Sequence, residues 1–564
     1  MNNASLPPPQ RTGGQILVDQ LRIHGIDHVF CVPGESFLAV LDALHETDFK
    51  LTVCRQEGGA AMMAEAHGKL TGRPAACFVT RAPGATNAAS GVHIAYHDST
   101  PLLVFVGQVE RRVRERDALQ ELDYRAVFKP MAKWATEIDD AARIPEIVSR
   151  AVHLSISGRP GPVVIALPED MLVDTASVKD ARPAQAVESY PGAEQMNDLR
   201  ALLVRAKKPL VVLGGSRWTE ASVKKFADIA AKWDIPVTVS LRRQMLFPVN
   251  HISFAGDLGF GPNPKLVELV KESDLLLLIG SRLSEVPSQN YSLLDIPVCD
   301  QTLVHVHPDP SELGRVYQPD LAINTAPALF VRELDKLDVT PSQSRSEYRA
   351  RAREAYEAWS DTKGIHSPGS LQMAEVMDYL NNVLPEDAII CNGAGNYATW
   401  VHRFHHFTKF GSQLAPTSGS MGYGVPAAVG AKRVLPERMV VAFAGDGCFM
   451  MHGQEFATAV QYDLPIIVII VDNAMFGTIR MHQEREYPGR ISGTTLKNPD
   501  FALYATAFGG HGERVERTEE FAPAFERARA SGKPSIIHCF IDPEAINPSY
   551  TLTSLREAAI AAGR

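Results

Sequence analysis

Cysteine is scarce in this chain. Seven cysteines are scattered through 564 residues, an odd number with no CxxC pair, which excludes a disulfide ladder and a paired-cysteine zinc module. They read as core thiols of a reduced, cytoplasmic protein. Long apolar runs are also missing. The longest, Leu275 to Ile279 and Ile466 to Val471, fall far short of the roughly 20 residues that cross a bilayer and have the length of buried strands. The opening Met1-Asn-Asn-Ala-Ser-Leu-Pro-Pro-Pro-Gln-Arg lacks the apolar stretch of a secretory signal. Nor is there a block of like charge. Lys and Arg number 56 against 65 Asp and Glu, a net charge of −9, which argues against a nucleic-acid-binding surface. The basic cluster Arg111, Arg112, Arg114 and Arg116 is broken by Glu115 and Asp117 and reads as a solvated loop.

What is present is the composition of a large globular protein, 45% hydrophobic and 21% charged. At roughly 150 residues per domain the length predicts three or four domains. Apolar runs at Val29–Val32, Ala75–Thr80, Leu102–Val106 and Val163–Leu167 alternate with helical stretches such as Gly58–Leu70 and Ala85–Tyr96. That is the rhythm of a parallel α/β sheet. It restarts at Pro209 and again at Ala388, separated by a polar linker (Asp174 to Gln195) and by a charged helical stretch (Ser342 to Lys363). The expected fold is α/β, with three doubly wound parallel-sheet domains at 11–180, 195–335 and 365–545.

The segment Met439-Val-Val-Ala-Phe-Ala-Gly445-Asp446-Gly447, a helical stretch from about Gly453 to Gln461, and Leu464-Pro-Ile-Ile-Val-Ile-Ile-Val-Asp472-Asn473 read as strand, helix, strand. Parallel strands bring their carboxyl ends to one edge, so Asp446 and Asn473 meet in space. One carboxylate and one amide oxygen are hard ligands. They are too few to enclose Mg²⁺ unless phosphate oxygens and water complete the octahedron. Gly445 and Gly447 allow backbone to approach a diphosphate. Gly393-Ala394-Gly395-Asn396-Tyr397, after the strand Ala388–Cys391, supplies a second such turn. Between them lies Thr417-Ser-Gly419-Ser-Met421-Gly, a polar loop that holds one large apolar side chain at the ligand edge. In the first segment, Arg55-Gln56-Glu57-Gly58-Gly59-Ala60 places a carboxylate at a strand-to-helix junction among small residues. Those residues leave room for another chain to pack and bury it, and a buried carboxyl can share a proton with a ring nitrogen.

Together with Pro83-Gly84-Ala85-Thr86-Asn87 and Gly161-Pro-Val-Val-Ile-Ala-Leu-Pro168, these motifs closely resemble the thiamine diphosphate (ThDP) enzyme family, in its acetolactate synthase, pyruvate oxidase and 2-keto acid decarboxylase branch. The resemblance spans nearly the whole chain. It implies a pyrimidine-binding, a central and a diphosphate-binding domain. It assigns Asp446, Asn473 and the Met475 carbonyl to Mg²⁺. Ala394, Gly395, Asn396, Tyr397, Gly419, Gly445, Gly447, Cys448, Met475 and Phe476 fall to the cofactor, with Met421 as the apolar wedge beneath it. Glu57 of a partner subunit would stabilise the imino tautomer of the pyrimidine, making the enzyme a homodimer or homotetramer with active sites at the subunit interface. The reaction so implied is decarboxylation of a small 2-keto acid with carboligation to a second carbonyl compound. A non-oxidative 2-keto acid decarboxylase or related lyase is the alternative. A non-catalytic ThDP-binding partner protein would not need Glu57, and a Mg²⁺ phosphohydrolase would explain neither Glu57 nor Met421.

The pocket segment Asp117-Ala-Leu119-Gln120 resembles that of the acetolactate synthases, with Gln120 at their catalytic glutamine and Leu119 in place of the usual Phe. His482 stands where the biosynthetic synthases carry a Trp, which argues against branched-chain biosynthesis. His97, in Ala-Tyr-His97-Asp-Ser-Thr-Pro, is a candidate proton relay. FAD is possible, although Gly214-Gly215 after a central strand makes no clear flavin motif.

Overall fold

In a computed structural model, residues 8–564 are described, and they form two compact units that divide between Val187 and Glu188. The segment read for a secretory signal lies in part outside the described residues. The first unit holds a six-stranded parallel sheet ordered Lys50–Val53, His28–Cys31, Ala76–Val79, Leu102–Gln108, Pro162–Pro168 and Trp134–Glu137. The second holds two more. The central sheet runs Phe254–Leu258, Val237–Ser240, Pro209–Leu213, Leu275–Ile279, Thr302–His307 and Leu321–Asn324. The third runs Gln413–Leu414, Ile389–Asn392, Val440–Gly445, Ile467–Asp472, Ser535–Phe540 and His511–Val515.

The expected three parallel α/β sheets are therefore present. The inner strands, such as Leu275–Ile279 and Ile467–Asp472, are buried along their whole length, because helices cover both faces of a parallel sheet. The charged stretch forms one helix, Gln343–Ser360. No helix among the described residues is long and apolar enough to cross a membrane. The arginine cluster lies on a partly exposed loop and forms ion pairs there. Arg111 pairs with Asp170 and Asp174, Arg112 with Glu110 and Arg114 with Glu137.

In the third sheet the chain adds a strand on one side of Ile389–Asn392 and then crosses to Val440–Gly445 on the other. That reversal is a topological switch point, where the loops leaving neighbouring strands part and open a crevice beyond their carboxyl ends. The central sheet has an equivalent reversal between Pro209–Leu213 and Leu275–Ile279, but there the two turns fill each other's space. A Cβ on Gly215 would lie 2.2 Å from the Gly280 carbonyl oxygen, and one on Gly214 would lie 2.9 Å from Ser281 Cα. Both Gly215 and Gly280 have positive φ. This close approach accounts for Gly214-Gly215 without a flavin.

Candidate active site

Beyond the carboxyl ends of the third sheet lies a cavity of about 240 Å³. Ala394 to Tyr397 line it from one side of the switch point and Gly445 to Cys448 from the other. Asn473, Met475 and Phe476 enter from the next strand end, and Gly419 and Met421 from the polar loop. Residues from four separate stretches of sequence thus meet at one opening, and they include every cofactor and metal candidate of the third domain.

Register explains the meeting of Asp446 and Asn473. Gly445 pairs with Val471 across adjacent parallel strands, so the residues that follow leave the sheet side by side. The helix after the first strand starts at Asp446 itself and runs to His452, followed by a 3₁₀ turn and a second helix, Phe456–Gln461. This corrects the expected start near Gly453. The correction matters, since Asp446 occupies the first turn, where exposed N–H groups favour a carboxylate.

Asp446 is 3% exposed. Burial pushes its carboxyl up to about 6, with the Asp472 carboxylate adding to the rise and a hydrogen bond from Asn498 opposing it. Asn498 donates its amide both to Asp446 Oδ2 (2.7 Å) and to Asp472 Oδ1 (2.9 Å). Asp472 is desolvated too, yet it stays below the usual carboxylate range because His538 Nε2, 2.9 Å away, the Ala474 N–H and Asn498 all stabilise its charge. The turn carrying Asn473 is held from the same segment as Asn498. Phe476 N donates to Thr494 O (2.9 Å) and Leu496 N to Ala474 O (2.8 Å). The Met475 carbonyl accepts from Gly477 N at 2.9 Å. Asn498, Asp472 and His538 are the supports that the sequence reading missed. Asn498 lies far along the chain from Asp446 in no recognisable motif, so only the fold reveals it.

Opposite, Tyr397 OH accepts from Gly393 N (3.0 Å) and meets Cys448 Sγ at 3.3 Å, while Gly422 N donates to that sulfur at 3.2 Å. This buried network ties both glycine turns to the loop of Met421. Met421 is half-buried against the apolar core. Asn396 Oδ1 accepts from Thr478 Oγ1 at 2.9 Å. Trp400, which the sequence reading did not single out, lines the cavity with a buried indole N–H that has no partner among the described residues.

These features fit a metal-bridged diphosphate. The ligand set is hard oxygen. The cradle depends on missing side chains: a Cβ on Gly447 would lie 2.6 Å from the Phe476 ring, and one on Gly445 3.0 Å from Tyr397. Gly395 sits at φ +149°, where a Cβ would also meet Tyr397, at 2.8 Å.

In the first unit Glu57 opens the helix Glu57–Thr71, with Gln56 as its N-cap through a bond from Gly59 N (3.1 Å). Capping is thus already provided, and the Glu57 carboxylate is free for another task. It is buried, accepts from Asn87 Nδ2 at 3.0 Å, and leaves no room at Gly84, where a Cβ would lie 3.1 Å from Glu57 Oε1. Part of the small-residue surface after Glu57 is used within the chain. The chain's own helix Ala82–Asp98 packs there, and a Cβ on Gly91 would sit 2.4 Å from that of Ala61.

Gln120 shares this sheet edge. Its carbonyl accepts from Ala82 N at 3.2 Å, its side chain is exposed, and its φ of +62° is a left-handed conformation rare outside glycine. His97 does not join them. It lies exposed at the far end of the helix, ten residues from Asn87 and so about 15 Å along the axis, with its ring against His93.

Three family models match the chain: the thiamine pyrophosphate enzyme N-terminal TPP binding domain over residues 11–127, the central domain over 196–334 and the C-terminal TPP binding domain over 393–539. The chain is 32% identical over 567 residues to the acetolactate synthase large subunit of Corynebacterium glutamicum, covering 96% of this chain and 88% of that protein. The chain belongs to the thiamine pyrophosphate enzyme family. Another relative, the acetolactate synthase isozyme 2 large subunit of Escherichia coli, is 29% identical over 94% of this chain and 95% of its own length. In this thiamine pyrophosphate enzyme the cavity falls within the matched C-terminal TPP binding domain, and Glu57 within the N-terminal one.

Proposed function

We propose that this chain decarboxylates a small 2-keto acid and joins the acyl fragment to a second carbonyl compound, using thiamine diphosphate and Mg²⁺ in the cavity beyond the third sheet. The observation that carries the reading is the convergence, at one switch point, of glycine-lined turns and the buried Asp446 carboxylate in the domain that matches the TPP-binding model. When bound, the cofactor supplies a thiazolium ring that accepts the electrons left by departing CO₂.

The remaining tasks fall to the chain. Asp446, Asn473 and the Met475 carbonyl hold Mg²⁺. The turns at Ala394–Tyr397, Gly445, Gly447 and Cys448, with Gly419 and Phe476, receive the diphosphate. Met421 offers an apolar support that sets the cofactor's conformation and keeps water from the reacting carbon. Glu57, by resemblance supplied by a second copy of the chain, exchanges a proton with the pyrimidine ring, and Asn87 orients its carboxyl. Gln120, at the same sheet edge as Glu57, positions the carbonyl substrate. The names of the relatives favour carboligation over simple release of an aldehyde. The enzyme then acts as a cytoplasmic homo-oligomer.

The test is a product analysis of the purified protein with ThDP, Mg²⁺ and a panel of small 2-keto acids, with and without acceptor carbonyl compounds. The reading requires CO₂ release and a new C–C bond, both dependent on ThDP. Aldehyde as the sole product assigns a decarboxylase, and no CO₂ from any member of the panel overturns the proposal.

A further inference from the structure

The sheet edge of the first unit remote from Glu57 carries a cluster that the reaction does not use. Asp27 precedes and His28 opens the strand His28–Cys31, and His67 lies near the end of the helix Glu57–Thr71. One ligand atom from each, a carboxylate oxygen and two ring nitrogens, all lie within 4.8 Å of one another. The two rings are 4.9 Å apart between centroids.

Hydrogen bonds fix which nitrogens are open. His67 Nδ1 lies 3.2 Å from the Arg73 carbonyl oxygen, a contact that requires Nδ1 to carry the proton and leaves the lone pair on Nε2. His28 Nδ1 is 2.8 Å from Asp27 Oδ1. That shared position is the one a cation can take over, holding His28 through Nδ1 and Asp27 through its carboxylate, with the ring proton then on His28 Nε2. His28 is 4% exposed and His67 5%.

We propose that Asp27, His28 and His67 bind one zinc-class divalent cation, with water completing the coordination. Zinc with ligands at about 2.0–2.1 Å keeps neighbouring ligand atoms about 3.4 Å apart, so Asp27 and His28 part slightly on binding while His67 closes by about an ångström. The Asp27 side chain is 66% exposed, which gives the ion a way in and the site a negative charge. Beside it, the chain turns at Gly25 and Gly72, both at positive φ, and a Cβ on Gly72 would meet nothing within 4 Å. The site therefore lies at an open rim. His67 stands ten residues from Glu57 on the same helix, about 15 Å along its axis, so the ion takes no part in the ThDP reaction and serves as a staple between strand and helix.

The test is a calorimetric titration of Zn²⁺ into the full-length enzyme with saturating ThDP and Mg²⁺, which occupies the other metal site. The proposal predicts one Zn²⁺ per chain, lost in His67→Gln. In Asp27→Asn, a change at an exposed side chain that leaves folding intact, affinity falls by about tenfold or more. Co²⁺ in place of Zn²⁺ should give the visible absorption of a low-coordinate nitrogen and oxygen site in the wild type alone. No Zn²⁺ uptake by the wild type, or undiminished uptake in either variant, overturns the proposal.

Discussion

Asp446 is held at a cost that binding repays, and Asp446→Asn isolates it. In the apo protein its carboxyl has moved from 3.8 to about 6 through burial, with Asp472 adding to the rise. A folded state with a raised carboxyl pKa holds the proton more tightly than the unfolded chain does. The stability this contributes is fully present below about pH 3.8 and is lost as pH rises through about 6. A shift of about two units corresponds to about 3 kcal/mol lost at pH 8, and about half of that at pH 5. The amide that replaces the carboxyl has no charge to desolvate and still presents an oxygen to the Asn498 side chain. Apo Asp446→Asn should therefore be more stable than apo wild type by about 2–3 kcal/mol near pH 8 and by about half as much near pH 5, a rise of several degrees in the melting of the second unit. Thermal unfolding of both proteins, stripped of metal and cofactor, measures it. With ThDP and Mg²⁺ the order should reverse, because the wild type alone gains binding energy. A variant no more stable than the wild type at pH 8, or a gain independent of pH, would refute the argument that Asp446 is a strained, buried charge awaiting a cation.

Other substitutions probe other parts of the site. Glu57→Gln keeps a side chain that can accept from Asn87, so folding should survive while kcat falls by about 10² to 10⁴; hydrogen–deuterium exchange at C2 of ThDP, followed by NMR, should slow with it, and exchange at the wild-type rate would remove Glu57 from the mechanism. Gly447→Ala forces the Phe476 ring to move, since the new Cβ would lie 2.6 Å from it. Overpacking of that kind costs about 1–3 kcal/mol and disturbs the turn of Asn473 and Met475, so calorimetry should show ThDP affinity reduced by about tenfold or more. Mixing Glu57→Gln with Asp446→Ala protein should restore part of the activity once chains exchange, as one site of a mixed dimer is intact, whereas no recovery after verified exchange would argue for sites built within one chain.

Much of this site is legible in the sequence because its candidate ligands sit at strand ends. Apolar runs located the strands to within a residue or two, as at Leu275–Ile279 and Ile467–Asp472, and parallel topology dictates that their carboxyl ends share an edge. Asp446 and Asn473 could therefore be paired from sequence. The helix start at Asp446 escaped because Gly447 and Gly453 break its periodicity, although the helix forms around them. Asn498, Trp400 and the Asp472–His538 pair escaped for a different reason. Their roles depend on side-chain contacts across long stretches of chain, and neither spacing nor residue type marks them. The small residues after Glu57 read as room for another chain, whereas side-chain contacts within the chain, such as Ala61 against Gly91 of the helix Ala82–Asp98, carry no sequence signal of their own. His97 misled because sequence proximity to a motif does not fix the end of a helix on which a residue lies.

The central claim is that the cavity beyond the third sheet binds ThDP through a cation held by Asp446. Calorimetric titration of ThDP, with and without Mg²⁺, into wild type and Asp446→Ala tests it most directly. The account predicts Mg²⁺-dependent binding to the wild type and collapse of affinity in the variant, since the metal then loses its one carboxylate ligand. Equal affinity in the two proteins, or wild-type binding indifferent to Mg²⁺, would contradict it.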